Sequence, residues 1–348
     1  MIEISDTYKK LENYKFIDLF AGIGGFHLAL SSFGAQCVFA SEWDKHCQMV
    51  YKNNFGIVPY GDITKINSED IPEHDILCAG FPCQAFSISG NQKGFLDTRG
   101  TLFFDVARIV SYHKPQILFL ENVKNFARHD GGNTLCVVLK TLKNLGYQVH
   151  YQILNASDFG LPQKRERIYF VCFRDDLDVN FSFPKSASIN VTLKDILLEE
   201  SFVKKYIINR HDIKISNDVV EPDIFGFLPK KPLRIGTVNK GGQGERIYHE
   251  LGHSATLSAY GGGVGAKTGL YKINGSIRKL APIECARLQG FPEFFKVIES
   301  ETQAYKQFGN SVPINVLQYI LVEIIKALSE KESRQLSTVG FRYSQERI

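Results

Sequence analysis

Short apolar runs and helix-spaced apolar positions take turns along the first half of the chain. Runs at 15–20, 37–41, 75–79, 117–120 and 167–173 predict strands. Between them, 25–33, 45–53, 102–112 and 134–145 predict helices; the third is apolar at 102, 103, 106, 109 and 110. Strand–helix alternation of this kind predicts an α/β fold with a parallel sheet covered by helices. The alternation stops near Asn190. From 196 to 281 glycines and short β-like pieces dominate, with Gly241-Gly242, a run at 261–263 and Asn274-Gly275. This predicts a second, smaller, mostly β domain. A helix from Pro282 to Gln289 follows, with proline in its first turn and Gly290 and Pro292 after it. Residues 313–328 are apolar at 313, 316, 317, 320, 321, 324, 325 and 328. A stripe that wide must pack on a core, most simply the first domain's sheet. The expected organisation is 1–195 plus 308–330 as one domain, 196–281 as the second, 282–307 as a hinge, and 331–348 as a loose polar tail.

Composition narrows the function only a little. The chain has 348 residues, 44% of them hydrophobic, which excludes a disordered or low-complexity protein. No run of about 18 apolar residues suggests a membrane span. The N-terminus lacks a secretory apolar core, so a cytoplasmic protein is expected. Lys and Arg number 41 against 37 Asp and Glu, a formal charge of +4. That total is too small to imply nucleic acid unless the basic residues cluster. They do at 226–246, where Lys230, Lys231, Arg234, Lys240 and Arg246 meet one acid, Glu245. Such a loop is either a solvated surface or, with its interleaved glycines, a place for close approach to a partner. Seven cysteines without a CxxC pair argue against disulfides and against a zinc site. Five of them (Cys37, Cys78, Cys136, Cys172 and Cys285) have apolar surroundings and read as buried small hydrophobes.

Four segments carry candidate chemistry. FIDLFAGIGG (16–25) is a strand, a glycine-rich turn and a helix start, which suits a nucleotide-like cofactor or a tight structural turn. Glu42 ends the next strand, 20 residues after Gly22, where an acid can hold ribose hydroxyls. The turn lacks the GxGxxG spacing of dinucleotide enzymes, which disfavours a nicotinamide oxidoreductase. Trp43, the only tryptophan, is either a core residue or a platform for an adenine ring. In AGFPCQAFS (79–87), Cys83 lies just past a strand end in a Gly/Pro turn and is the cysteine placed to be reachable. Glu121 ends the strand 117–120 and is either a capping acid or a catalytic acid with a raised pKa. Arg165 and Arg167 sit two apart before a strand, so both point to one face, to pair with acids or grip an anion.

FIDLFAGIGG, GFPCQAFS, ENV, QKRERIYFV, RKLAPIECARLQGFPE (278–293) and QFGNSVPINV (307–316) together resemble the ordered motif set of the DNA (cytosine-5)-methyltransferases. The resemblance spans about residues 15 to 320. It implies a Rossmann-like sheet that binds S-adenosyl-L-methionine, a smaller target-recognition domain, and double-stranded DNA as substrate. It implies that Cys83 attacks C6 of a flipped-out cytosine, that Glu121 assists at N3, and that Arg165 holds the base. Cofactor contacts are implied for Phe20, Gly22, Gly24, Glu42, Trp43, Asp62, Ile63, Pro82, Leu102 and Asn310. Residues 84–102 look like a lid, with Ser89 entering the vacated helix and Lys93 and Arg99 on phosphates. DNA contacts are also implied for Arg167, Gln243, Arg246, Thr256 and Tyr260. Gln243, Arg246 and Tyr260 match the branch of the family that reads 5′-GCGC-3′ and methylates the inner cytosine. Residues 222–233 and the stretch around Gly265 and Leu270 depart from that branch. The resemblance further implies a monomer paired in function with a cognate restriction endonuclease. RNA methylation and a non-catalytic DNA-binding regulator are the competing readings; the KGGQGER loop argues against the first, and the presence of Pro82, Cys83, Glu121 and Arg165 against the second.

Overall fold

The computed structural model describes residues 11–82, 102–187, 189–216, 220–224 and 226–345, with side chains to 334. Strands β1 (Lys15–Leu19), β2 (Gln36–Ser41), β3 (Ile76–Gly80), β4 (Ile117–Val123), β5 (Tyr147–Asn155) and β6 (Glu166–Arg174) form one sheet in the order β2-β1-β3-β4-β6-β5. The helices between them are α1 (Gly25–Ser31), α2 (Lys45–Phe55), α3 (Leu102–His113) and α4 (Asn133–Asn144). β1 to β4 run parallel, as expected. The sheet is nevertheless mixed, because β6 is antiparallel to both β4 and β5. β5 is an edge strand, YQVHYQILN, with mostly half-exposed or exposed positions. Its polar alternation hides it from a search for apolar runs.

The central strands are buried on both faces, and their period of two divides the core. Phe16, Ile76, Cys78, Ile117, Phe119, Tyr169 and Val171 face α1 and the last helix, α8 (Ile314–Gln345). Ile17, Leu19, Leu77, Ala79, Leu118, Leu120 and Phe170 face α3 and α4. The apolar stripe at 313–328 thus returns to the first domain, and Gln318 Nε2 donates to Ser32 Oγ at 3.1 Å across the seam with α1. The segment Glu301–Arg334 is long and apolar enough to cross a membrane, but most of its apolar stretch is buried inside the protein. It behaves as a core helix. The chain also does not loosen at 331, because α8 keeps a helical backbone to Gln345. Polarity alone suggested a tail, but 331–345 contains no proline to break the helix.

After the four-residue helix α5 (Glu200–Val203), a smaller sheet holds β7 (Lys214–Ile215), β8 (Arg234–Thr237), β9 (Arg246–His249), β10 (Leu270–Ile273) and β11 (Ser276–Arg278), in the order β11-β10-β9-β8-β7. α6 (Pro282–Leu288) and α7 (Glu301–Asn310) lead back to α8. At this junction Arg278 makes two 2.7 Å bonds to Glu284 with both side chains buried, fixing β11 to the start of α6.

Candidate active site

Ligands of open α/β sheets bind beyond the carboxyl ends of the strands. Here the ends of β1, β2, β3 and β4 open into a cavity of about 1130 Å³. After β1 the chain turns sharply, with Phe20 and Gly22 both at φ +55°. A phenylalanine in that region is a strained position of the kind that collects at functional sites. After β2, Glu42 is buried, and its two carboxylate oxygens accept from Gly22 N and Asp44 N, each at 2.8 Å. A carboxylate offers about four acceptor sites, so Glu42 retains capacity for a hydroxyl. Burial, the largest influence, holds its pKa above the usual carboxylate value. Trp43 is 79% exposed at the cavity wall, so it is a free flat surface and not a core residue. Asp62 and Ile63 line the same cavity; Thr64 donates to Asp62 through its backbone and its hydroxyl, holding that carboxyl low.

Pro82, Leu102 and Asn310 also line the cavity. Gly24 does not: a Cβ there would lie 2.2 Å from Phe55 Cε2, so this glycine serves the packing of α1 on α2. Sequence reasoning passed over Asp44 and Lys306. Lys306 Nζ bonds Asp44 Oδ2 at 2.8 Å, tying α7 to the start of α2 across the cavity wall. Lys306 lies one helical turn before Asn310, and that spacing was the available signal.

The cavity floor is made by β4 and β6. Glu121 is buried, and its Oε1 lies 3.0 Å from Arg167 Nε. Burial raises its pKa, and Arg167 and then Arg165 oppose that rise. Next to it, buried Asn122 donates to Phe81 O at 2.8 Å and so anchors the chain entering Pro82 and Cys83. The two arginines differ in depth. Arg167 lines the cavity with Glu121. Arg165, 1% exposed, lies behind it and donates to the carbonyls of Leu257, Gly309 and Ser311 at 3.3, 2.9 and 2.6 Å. It was expected on the base but is not among the cavity-lining residues.

Residues 14–326 match the family model for C-5 cytosine-specific DNA methylases. The chain belongs to that family. The type II methyltransferase M.HhaI of Haemophilus parahaemolyticus is 59% identical over 332 residues, covering 95% of this chain and 99% of that protein. The type II methyltransferase M.HaeII of Haemophilus aegyptius is 43% identical, covering 92% and 95%. The crystal structure of the S. pombe Dnmt2 methyltransferase shares the fold, with a TM-score of 0.66 at 21% identity, covering 88% of this chain and 97% of that one.

The methylase's smaller domain sets Gln243, Arg246, Thr256 and Tyr260 at exposed positions. Only Tyr260, 80% exposed, also reaches the cavity wall. The hydroxyl of Thr256 is engaged within the chain, donating to Lys164 O. Gly244 of the basic loop and Gly261 beyond it serve the protein's own packing. A Cβ on Gly244 would lie 2.0 Å from Gly262 O, and one on Gly261 1.9 Å from Ala266 O.

Cys83, Ser89, Lys93 and Arg99 fall outside the described residues. Among the described cysteines, burial pushes the thiols of Cys37, Cys47, Cys78, Cys172 and Cys285 up, Cys37 to about 12. Those thiols are unsuited to thiolate chemistry. Cys136 is exposed, not buried as expected: α4 buries 134, 138, 141 and 142, and 136 falls on the other side of that stripe.

Proposed function

We propose that this type II cytosine-5 methyltransferase modifies the inner cytosine of 5′-GCGC-3′ in duplex DNA and protects that site from a cognate restriction endonuclease. The Glu121–Arg167 pair at 3.0 Å on the cavity floor, beside Pro82, carries the reading. The 59% identity to M.HhaI and the recognition-type residues Gln243, Arg246 and Tyr260 support the target.

The cavity suits S-adenosyl-L-methionine: the exposed indole of Trp43 offers a face for adenine, Glu42 takes the ribose hydroxyls, and Asp62 takes the adenine amine. Phe20, Gly22, Ile63, Pro82, Leu102 and Asn310 enclose it. When bound it supplies an electrophilic methyl group. The protein's part is to make cytosine C5 nucleophilic. A flipped base is needed because C6 and C5 are inaccessible in a duplex. The Cys83 thiolate adds to C6, which breaks the aromaticity and makes C5 enamine-like. Negative charge then builds on the ring, and Glu121, kept protonated more readily by its burial, donates at N3. After methyl transfer the C5 proton is lost to solvent, the freed electron pair restores the C5–C6 double bond and expels Cys83 as its thiolate, and the N3 proton returns to Glu121. Arg167 takes the base-facing role first given to Arg165. It shares the cavity with Glu121, holds that carboxyl in place and presents a guanidinium toward the base carbonyl.

The test is label transfer from methyl-tritiated S-adenosyl-L-methionine to duplexes with and without GCGC. Incorporation confined to the GCGC duplex is expected. No incorporation into any duplex overturns the assigned chemistry, and equal incorporation into both overturns the target. Duplex carrying 5-fluorocytosine should trap a covalent adduct that Cys83→Ala abolishes.

A further inference from the structure

Three segments distant in the sequence meet at one buried seam. Pro162 to Arg165 runs beside 254–257: Ser254 N donates to Pro162 O at 2.7 Å, Lys164 N to Ser254 O at 3.1 Å, and Leu257 N to Gln163 Oε1 at 3.1 Å. On the other side, a Cβ on Gly309 would lie 2.5 Å from Ala259 N, so the backbones at 309 and 259 are in direct contact. Arg165 joins all three. One guanidinium binds the Leu257 carbonyl, 92 residues away, and the Gly309 and Ser311 carbonyls, 144 and 146 residues away. Its Nε has no hydrogen-bond partner among the described residues.

The positions of these carbonyls give the seam its meaning. Leu257 lies between Thr256 and Tyr260, which the functional reading assigns to DNA. Gly309 and Ser311 flank Asn310, which lines the cofactor cavity. A guanidinium holds its donors in a rigid plane, so carbonyls bound to it keep a fixed mutual geometry. Movement of the recognition segment is therefore felt at Asn310, and the reverse.

We infer that Arg165 is a positioning residue that couples DNA recognition at 256–260 to cofactor binding at 309–311. The coupling rests on the proposed function, since DNA and the cofactor are its two ligands. By linkage it is reciprocal: each ligand tightens the other by the same factor.

The experiment measures the affinity of S-adenosyl-L-homocysteine for the full chain, alone and with a GCGC duplex. Wild type should bind it more tightly with the duplex present. Arg165→Lys keeps a charge but carries its three donors on one nitrogen, which cannot span the three carbonyls as the planar guanidinium does, and it should reduce the enhancement by at least about fivefold, the lower end of typical couplings. A general loss of structure would weaken both affinities and leave their ratio alone. If Arg165→Lys does not fold, Gly309→Ala tests the same seam by wedging it open at Ala259, and the same loss of enhancement is expected. A wild-type ratio near one, or a ratio unchanged in the folded variant, overturns the inference. Failure of wild type to bind S-adenosyl-L-homocysteine at all overturns the functional reading, and this inference with it.

Discussion

Glu121→Gln should move activity and stability in opposite directions. The variant keeps the size of the side chain and removes its charge and its acid. General acid–base assistance contributes about 10²–10⁴-fold, or about 3–5 kcal/mol of transition-state stabilisation at about 1.36 kcal/mol per tenfold. Turnover in the label-transfer assay should fall by that factor. The stability argument starts from the 3.0 Å contact with Arg167 Nε. At an effective dielectric of about 20 the attraction is about 5–6 kcal/mol, yet the carboxyl's pKa still lies above its ordinary value because burial outweighs both arginines. A carboxyl raised on folding contributes stability that is fully present below its unfolded pKa and is lost as pH rises through its folded pKa. Wild type therefore loses stability as pH rises through the folded pKa of Glu121, and glutamine does not. Melting curves should place Glu121→Gln above wild type at about pH 8, with the difference shrinking toward about pH 4.5. A difference that grows on acidification would refute the reasoning, because it would mean that the fold prefers the charged form.

The other predictions test the walls of the site and the junction between the sheets. Trp43→Ala should weaken binding of the S-adenosyl cofactor by about 5–150-fold, since a base on an aromatic face is worth about 1–3 kcal/mol. Its melting temperature should barely move, because the side chain is 79% exposed. Arg246→Ala should narrow the preference for GCGC over single-base variants by about 1–3 kcal/mol, read as a ratio of kcat/KM values; an unchanged ratio would remove Arg246 from recognition. Arg278→Met leaves Glu284 buried and unpaired and should lower stability in urea by about 3–5 kcal/mol, whereas a loss under about 1 kcal/mol would show that the 2.7 Å pair contributes little.

The first four strands were legible because each apolar run stops within a few residues at a glycine, a proline or a polar residue, and those ends are where the cavity opens. Glu42, Glu121 and Pro82 could be placed at strand ends from the sequence alone. β5 could not, since an edge strand faces water on much of its length and carries no apolar run. Cys136 was misread although the phase of α4 contained the answer: 134, 138 and 141 form one stripe and 136 lies off it. The difference between Arg165 and Arg167 was never in the local sequence. A period of two puts both on one face, and which of them is buried depends on the carbonyls at 257, 309 and 311. The exposure of Trp43 is equally non-local, because a lone tryptophan reads the same in a core or on a wall.

The glycines of the smaller domain show why local patterns mislead there. Interleaved with lysines and arginines, they looked like room for a partner. In the structure Gly244 and Gly261 let the chain approach itself, with Gly265 N bonded to Gly244 O at 2.7 Å and no space for a Cβ at 244 or 261. Two loops that would be mobile separately are thereby held as one surface bearing Gln243, Arg246 and Tyr260. Ordering a loop on binding consumes affinity. Here that ordering is completed during folding, so in the proposed function the contacts assigned to the three side chains go to discriminating between sequences. In the proposed function Gly244 and Gly261 serve recognition through the fixed spacing they give the residues beside them.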